Sequence, residues 1–562
     1  MDGAVGVNVE TVTSTLTGAA AARALRMPTP VTRVARVRRH LGLRARDGVI
    51  LRTDHYVPAL DSAPTVLMRT PYGRGGVTAL GARVFAAQGF HVVVQSCRGT
   101  GGSTGTFEPM RYERDDGLDT VDWLRRQPWF TGRLGTFGPS YVGYTQWAIS
   151  DVPELEAMAT MITASQFRDP TYAGESFSLF TTLAWANILH TQAGPWWENA
   201  LELLRGQPRL HAAFGELPLT EADRAATGAE VAFFRRWLSL AGARGTSPEF
   251  DEYWGELGHE HRLPEVKAPV LMVGGWYDIF LPWQLADHAA LREAGVATQL
   301  VIGPWTHGST GLLFESLRTS AIWLRRHLTS FAAPPAPPVR VFVGSANGSG
   351  SWRGYDDWPP PFSAQTWHLQ PAGRLATPAP PESTPDSFRY DPLDPTPSVG
   401  GPLLVSQLSG PRDNTALEAR PDVLVYSSDR LASDVEIIGP VHVTARVRAT
   451  SPHFDVFARL CDAGPDGRSI NICDGLVRVV PGRFPTAEDG VIQVDVALWP
   501  TAYRFRAGHR IRLQLSGGAH PRYVRSTGTP DPLATTLQPV TIEVHHSPAH
   551  ASTLTLPLAT VS

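Results

Sequence analysis

The spacing of apolar and polar positions changes character along the chain. From residue 65 to about 150, short β-like runs (Thr65–Met68, His91–Gln95, Leu134–Phe137) alternate with helical spacing, which predicts a mainly parallel α/β sheet. One helix is predicted over Asp116 to Arg126, with Leu118, Val121 and Leu124 on one face. The alternation resumes at 269–330, with strands at Val270–Val273 and Leu300–Ile302. Between these stretches, residues 151–262 are rich in Trp and Phe at helical spacing. Phe233, Phe234, Trp237 and Leu238 fall at i, i+1, i+4 and i+5, predicting a helical insertion over the sheet. Beyond residue 363 the period is two: Val441, Val443, Ala445 and Val447 alternate with His442, Thr444, Arg446 and Arg448, and Ile511, Leu513 and Leu515 with Arg510, Arg512 and Gln514. Many such short strands between Pro/Gly turns predict an antiparallel β-sandwich.

These changes divide the chain into a loose N-terminal extension (1–36), an α/β layer in two segments (37–150 and 263–362), a helical insertion (151–262) and a β-sandwich (363–562). The six arginines from Arg33 to Arg46 are expected on the polar faces of two short edge strands, since charge runs are usually solvated.

Composition narrows the function. With 562 residues there is ample chain for several domains, and a net charge of −3 supplies no field for phosphate backbone or an acidic membrane surface. No apolar stretch approaches the roughly 18–20 residues of a bilayer span. Three cysteines (Cys97, Cys461, Cys473) cannot build a disulfide framework, and residues 1–30 lack the basic start and apolar run of a secretory signal. A soluble, cytoplasmic protein that binds neither nucleic acid nor membrane is expected. Its oligomeric state is left open, with a homo-oligomer among the alternatives.

One constellation carries chemistry. Leu134–Phe137 runs through Gly138–Pro139 to Ser140 and into the helix-compatible Tyr141–Ala148, so Ser140 is expected at a tight strand-to-helix turn that exposes its hydroxyl above the sheet. The spacing is G-x-S-x-x-G, not the usual G-x-S-x-G, and either pattern occurs often by chance. Two later strand ends strengthen it. Val270–Val273 leads through Gly274–Tyr277 to Asp278, and Leu300–Ile302 leads through Gly303–Thr306 to His307. In a parallel sheet all three would lie at the carboxyl edge, in the chain order Ser, Asp, His.

Successive blocks extend this pattern: Arg69-TPYGRGG, Arg98-GTGGSTGTF, GTFGPSYVGYTQW, GGWYD, GPWTHG, YSSDRLASDVEIIGPV, CDGLVR and AGHRIRLQLS. Together, over about residues 37–545, they resemble the cocaine-esterase-like, X-prolyl dipeptidyl-peptidase class of serine hydrolases. The resemblance implies an α/β-hydrolase domain with an inserted helical cap and a C-terminal jelly roll. It implies a catalytic triad of Ser140, Asp278 and His307, and an oxyanion hole formed by the Tyr72 hydroxyl and the Tyr141 backbone N–H. It places Phe280 in the acyl pocket, with Trp185, Leu404 and Val405 as further candidates for its apolar wall. No metal or organic cofactor is called for, and the expected partner is a small-molecule ester or amide.

Departures from the family pattern sharpen the reading. The family's Q-D-x-R-G is Gln95–Ser96–Cys97–Arg98–Gly99 here, which leaves the structural partner of Arg98 open. The amino-ester branch carries carboxylates two and three positions after the triad acid, where this chain has Phe280 and Leu281. Ester hydrolysis is therefore expected. The alternatives are an X-Pro dipeptidyl-peptidase, an acyltransferase or cyclase using the same acyl-enzyme, and a non-enzymatic binding module built on the sandwich. The Gly99–Gly105 loop lacks a dinucleotide fingerprint and a phosphate-loop lysine. His259 and His261 are expected at the surface, and Asn347–Gly348–Ser349 in a turn.

Overall fold

The computed structural model describes residues 9–10, 27–193, 208–404 and 407–560. Most of the extension at 1–36 therefore lies outside the described residues, as does Val405.

Among the described residues the first sheet has as its main strands β1 (Val34–Arg44), β2 (Ile50–Pro58), β3 (Thr65–Thr70), β4 (His91–Ser96), β5 (Leu134–Pro139), β6 (Leu155–Met161), β7 (Val270–Tyr277), β8 (Thr298–Thr306) and β9 (Val339–Ser345), with Val9–Glu10 added antiparallel to β1 and Gly350–Tyr355 antiparallel to β9. Their spatial order is β1-β2-β4-β3-β5-β6-β7-β8-β9. The β1–β2 and β2–β4 pairs are antiparallel and every later pair is parallel. The arginine-rich segment holds one eleven-residue strand, β1.

The central strands are buried on both faces, because helices cover each side. Leu67, Val93, Leu134, Met158, Met272 and Leu300 pack with Val121 and Leu124 of α2 (Glu113–Arg125), Trp147 of α3 (Tyr141–Trp147) and Leu285 of α7 (Leu281–Glu293). Their alternating neighbours Val66, Val92, Phe137, Ala159 and Val273 pack with Phe85 of α1 (Gly76–Ala87) and Leu324 of α8 (Thr310–Leu328). A Cβ on Gly135 would come within 2.6 Å of Leu328, so the glycine in β5 is what lets α8 lie this close. Helix α2 begins three residues before the predicted Asp116, with Glu113 inside it.

The stretch 151–262 opens with sheet strand β6, a correction to its all-helical expectation. Its helical elements run from Arg168 to Glu265 and include α4 (Leu179–Ala193), α5 (Ala232–Ser239) and α6 (Pro248–Gly255). Phe234, Trp237 and Leu238 point into one aromatic cluster with Phe167, Phe250 and Trp254. Leu403 and Val524 join that cluster from the C-terminal half, so the helices are clamped between two parts of the chain.

The C-terminal half is strand-rich. Val435–Ala449 pairs antiparallel with Ile492–Phe505, Val540–His545 and Thr553–Ala559. A second ladder runs through Val423–Ser427, Arg510–Ser516, Phe454–Ala463 and Ser469–Val479. Val441, Val443, Ala445 and Val447 from the first ladder and Ile511, Leu513 and Leu515 from the second share one core. Gln514, expected on a polar outer face, is buried because Glu418 covers it and accepts its amide at 2.8 Å. The first ladder joins the sheet edge directly: Gly344 and Ser345 of β9 pair in parallel with Tyr503 and Arg504.

Candidate active site

Ser140 sits between β5 and α3 with φ 54° and ψ −125°, a conformation that residues with a Cβ rarely adopt. Neighbouring groups hold it there. Its N–H donates to Met161 O at 2.9 Å, and its carbonyl accepts from Gly143 and Tyr144 N–H at 2.8 and 3.0 Å. The unusual motif spacing has a local cause. A Cβ on Gly138 would meet the branched Val142 side chain, and one on Gly143 would come within 2.4 Å of Thr163. Valine is thus accepted at the position where the common elbow has glycine because Gly138 makes room for it, while Gly143 supplies the close packing one residue later.

The other two strand ends converge on this hydroxyl. Asp278 follows β7 directly and is fully buried. Its Oδ1 accepts the Phe280 N–H at 2.9 Å, while Oδ2 lies 2.6 Å from His307 Nδ1. His307 Nε2 lies 3.2 Å from Ser140 Oγ. With Nδ1–H donated to the carboxylate, Nε2 is left as the acceptor facing the serine O–H. The turn after β8 that carries His307 is pinned by Ser309 Oγ, which lies 2.8 Å from both Thr306 N and Thr306 Oγ1.

Tyr72 and Tyr141 flank the serine in different ways. The half-buried Tyr72 follows β3, and its hydroxyl oxygen accepts the Trp185 indole N–H at 3.0 Å. That bond occupies a lone pair and leaves the O–H free to donate elsewhere. Burial pushes the Tyr72 phenol up to about 12, partly offset by hydrogen bonding to Trp185 and Ser140, so it stays a proton donor near neutrality. Tyr141 is the first residue of α3, where an N–H has no acceptor within the helix. Its side chain points away and is tied down, donating to Glu113 Oε1 at 2.9 Å and accepting the Met110 N–H at 2.6 Å. Glu113 in turn pairs with buried Arg69 at 2.8 Å. This anchor behind the turn was not legible in the sequence, where Glu113 is one acid among several at a helix start.

A pocket opens on Ser140. Tyr72, Trp185, Phe280 and Leu404 line it, as do Phe167, Trp237, Ile279 and Trp283. The Phe280 ring lies 4.6 Å from Phe167 and 5.8 Å from the His307 ring, centroid to centroid. From the C-terminal half the sequence reading named Leu404 and missed Trp499, Arg522 and Tyr523, which also line the pocket. Periodicity marks a strand residue as inward or outward but cannot say which other domain meets its end.

Arg98 finds its partners elsewhere. Its guanidinium forks onto Asp116 at 2.6 and 3.2 Å, reaches Asp47 at 2.5 Å and lies over the Tyr112 ring. His259 is buried, not at the surface as expected. Its ring lies 5.0 Å from that of Tyr144, and burial lowers its pKa to about 3, while His261 is exposed. Among the described residues no group of three His, Cys, Asp or Glu side chains could hold a metal ion.

The sheet order, the strained turn and the Asp278–His307–Ser140 hydrogen-bond run define the α/β-hydrolase class. Comparison with known proteins narrows this further. Residues 47–309 match the X-Pro dipeptidyl-peptidase (S15) family and residues 333–555 match the X-Pro dipeptidyl-peptidase C-terminal non-catalytic domain. The chain is 32% identical to a cocaine esterase of Rhodococcus sp. (strain MB1 Bresler), over 91% of this chain and 97% of that protein. This chain belongs to the S15 family. Among solved structures, an α-amino acid ester hydrolase superposes with a TM-score of 0.76 at 20% identity, covering 93% of this chain and 96% of its own. An aminopeptidase from a marine-sediment Thaumarchaeota archaeon gives 0.74 at 20% identity, covering 92% and 95%. At that identity the likeness is one of fold.

Proposed function

We propose that the chain hydrolyses carboxylic esters of small molecules through an acyl-enzyme on Ser140. The observation that carries this reading is the hydrogen-bond run from Asp278 through His307 to Ser140, at 2.6 and 3.2 Å, at the mouth of an apolar pocket. His307 Nε2 takes the Ser140 proton as Oγ attacks the ester carbonyl, and Asp278 holds the imidazole tautomer and offsets its positive charge. The developing oxyanion receives the Tyr72 O–H and the Tyr141 N–H. His307 then protonates the leaving alcohol. In the second half it takes a proton from water, whose oxygen attacks the acyl carbon and releases Ser140.

Esters are favoured over X-Pro peptides by the pocket's chemistry. A dipeptidyl-peptidase must hold a substrate ammonium, and among the described residues no carboxylate lines this pocket. Phe280 and Leu281 occupy the positions of the amine-binding carboxylates. The relative from Rhodococcus is also named an esterase. Phe280 and Trp185, with Leu404, suit an apolar or aromatic acyl group, on the general pattern of small-molecule sites. Incubation with a fluorophosphonate is expected to label Ser140, and aryl esters to turn over while Xaa-Pro anilides do not. Turnover of the anilides alone would reverse the assignment to the peptidase.

Tyr72→Phe removes the one side-chain donor of the oxyanion hole and is expected to lower kcat/KM on an aryl ester by about 10²–10³-fold. Fluorophosphonate labelling, slowed but retained, separates this from loss of the nucleophile.

In the proposed organisation, helices from Arg168 to Glu265 form a cap over the hydrolase domain, and the two C-terminal ladders form a jelly roll. Three buried, unbridged cysteines support a reducing, cytoplasmic setting. No helix among the described residues is long and apolar enough to cross a membrane.

A further inference from the structure

In the C-terminal half two arginines share one carboxylate. Asp474 Oδ2 accepts from Arg459 Nε and Nη2 at 3.1 and 2.8 Å, and Asp474 Oδ1 accepts from Arg522 Nη1. All three side chains are essentially buried, with Arg522 itself 3% exposed. Arg459 also donates Nη1 to Val399 O at 2.5 Å and to Asn414 Oδ1 at 2.7 Å. Arg522 is less completely used. Its guanidinium lies 4.8 Å from the Trp499 ring and 4.9 Å from the Tyr523 ring, and its Nη2 is buried with no hydrogen-bond partner among the described residues. The three groups together leave one net positive charge out of water. An unpaired buried donor on a charged group is costly unless something accepts from it.

Arg522 belongs to the wall of the pocket that opens on Ser140. The wall runs unbroken between them. The Phe280 ring lies 5.8 Å from His307, Trp283 follows one turn later with its N–H on Phe280 O at 3.1 Å, the Trp283 ring meets Trp499 at 5.7 Å, and Trp499 lies against Arg522.

We infer that Arg522 determines substrate specificity by receiving a carboxylate at the far end of the acyl group, so that the substrates are half-esters of apolar dicarboxylic acids. This rests on the ester-hydrolase reading, with Phe280 bounding the acyl side. The aromatic wall takes the hydrocarbon, the guanidinium Nη2 takes the terminal carboxylate, and the ester carbonyl reaches Ser140. The charge-assisted bond gives Nη2 the acceptor that no described residue supplies, and the acid neutralises the surplus charge of the cluster. Contacts with the Trp499 and Tyr523 rings and the bond to Asp474 hold the guanidinium in place, so little ordering is needed when the substrate arrives.

The test uses three 4-nitrophenyl esters of one chain length whose acyl groups end in carboxylate, carboxamide or methyl, on the full chain and on Arg522→Met and Arg522→Lys. For the unaltered protein kcat/KM is expected to fall in the order carboxylate, carboxamide, methyl, with carboxylate over methyl by on the order of 10–10²-fold. In Arg522→Met the carboxylate-to-methyl ratio collapses toward one, and Arg522→Lys restores part of it. A ratio at or below one in the unaltered protein, or a ratio unchanged in Arg522→Met, overturns the inference. If the variants do not fold, the order in the unaltered protein decides alone. A binding readout distinguishes failure of the hydrolase reading. Quenching of tryptophan fluorescence by the inert dicarboxylic acid, at lower concentration than by its neutral diamide, is expected whether or not any ester turns over. Equal quenching by the two compounds counts against Arg522 as the receptor, whereas no turnover and no labelling of Ser140 count against the esterase.

Discussion

Alanine in place of Ser140 is expected to lower kcat on an aryl ester by on the order of 10⁶ and to abolish fluorophosphonate labelling. The size follows from what the side chain does in this structure. Its hydroxyl is the group that the Asp278–His307 pair faces, at 3.2 Å from Nε2. The substitution is clean because the strain at this position belongs to the backbone. Alanine and serine meet the same penalty at φ 54°, and the turn is held by main-chain bonds to Met161, Gly143 and Tyr144 that survive the change. The thermal midpoint should therefore stay close to that of the unaltered protein while activity disappears. Retention of full turnover by a folded Ser140→Ala protein would move the nucleophile elsewhere and dissolve the proposed mechanism.

Asp278→Asn is the second large effect, expected at on the order of 10⁴ in kcat. The two oxygens of Asp278 are not equivalent, since Oδ1 accepts from the Phe280 N–H and Oδ2 faces His307 Nδ1. An asparagine keeps its carbonyl oxygen on the backbone N–H and so turns its NH₂ toward the imidazole. Nδ1 must then accept, the ring proton moves to Nε2, and the nitrogen facing Ser140 becomes a donor that cannot take the serine proton. Because the shape is conserved, folding and active-site labelling geometry should persist, with labelling slowed in proportion to turnover. A loss of only about tenfold would show that the imidazole is oriented by something other than this carboxylate.

Much of the site was legible because its parts lie where pattern and local chemistry coincide. Ser140, Asp278 and His307 each end an apolar run, and in a parallel sheet the ends of such runs share one edge. The strands at Thr65, His91 and Leu134 begin where the apolar runs do. Strand β6 was missed because Leu155–Met161 reads equally well as the start of the Trp- and Phe-rich helical stretch that follows. Contacts set by long-range docking left no local trace. The partners of Arg98 come from a turn at Asp47 and a helix at Asp116. His259 looked like a surface residue in a charged segment, yet it lies under Tyr144. Nothing local in the sequence marks Arg522 or Trp499, because their half of the chain meets the first sheet through long-range contacts such as the β9 pairing and the Trp283–Trp499 ring contact.

That pairing means chemistry and selectivity are written in separate stretches of polypeptide. In the proposed mechanism bond-breaking is confined to loops of the first sheet, whereas part of the pocket wall beside Ser140 is contributed by the region matched to a domain described as non-catalytic. Mutation there can retune which compounds are admitted without disturbing the reacting atoms, giving one hydrolytic engine a replaceable front end.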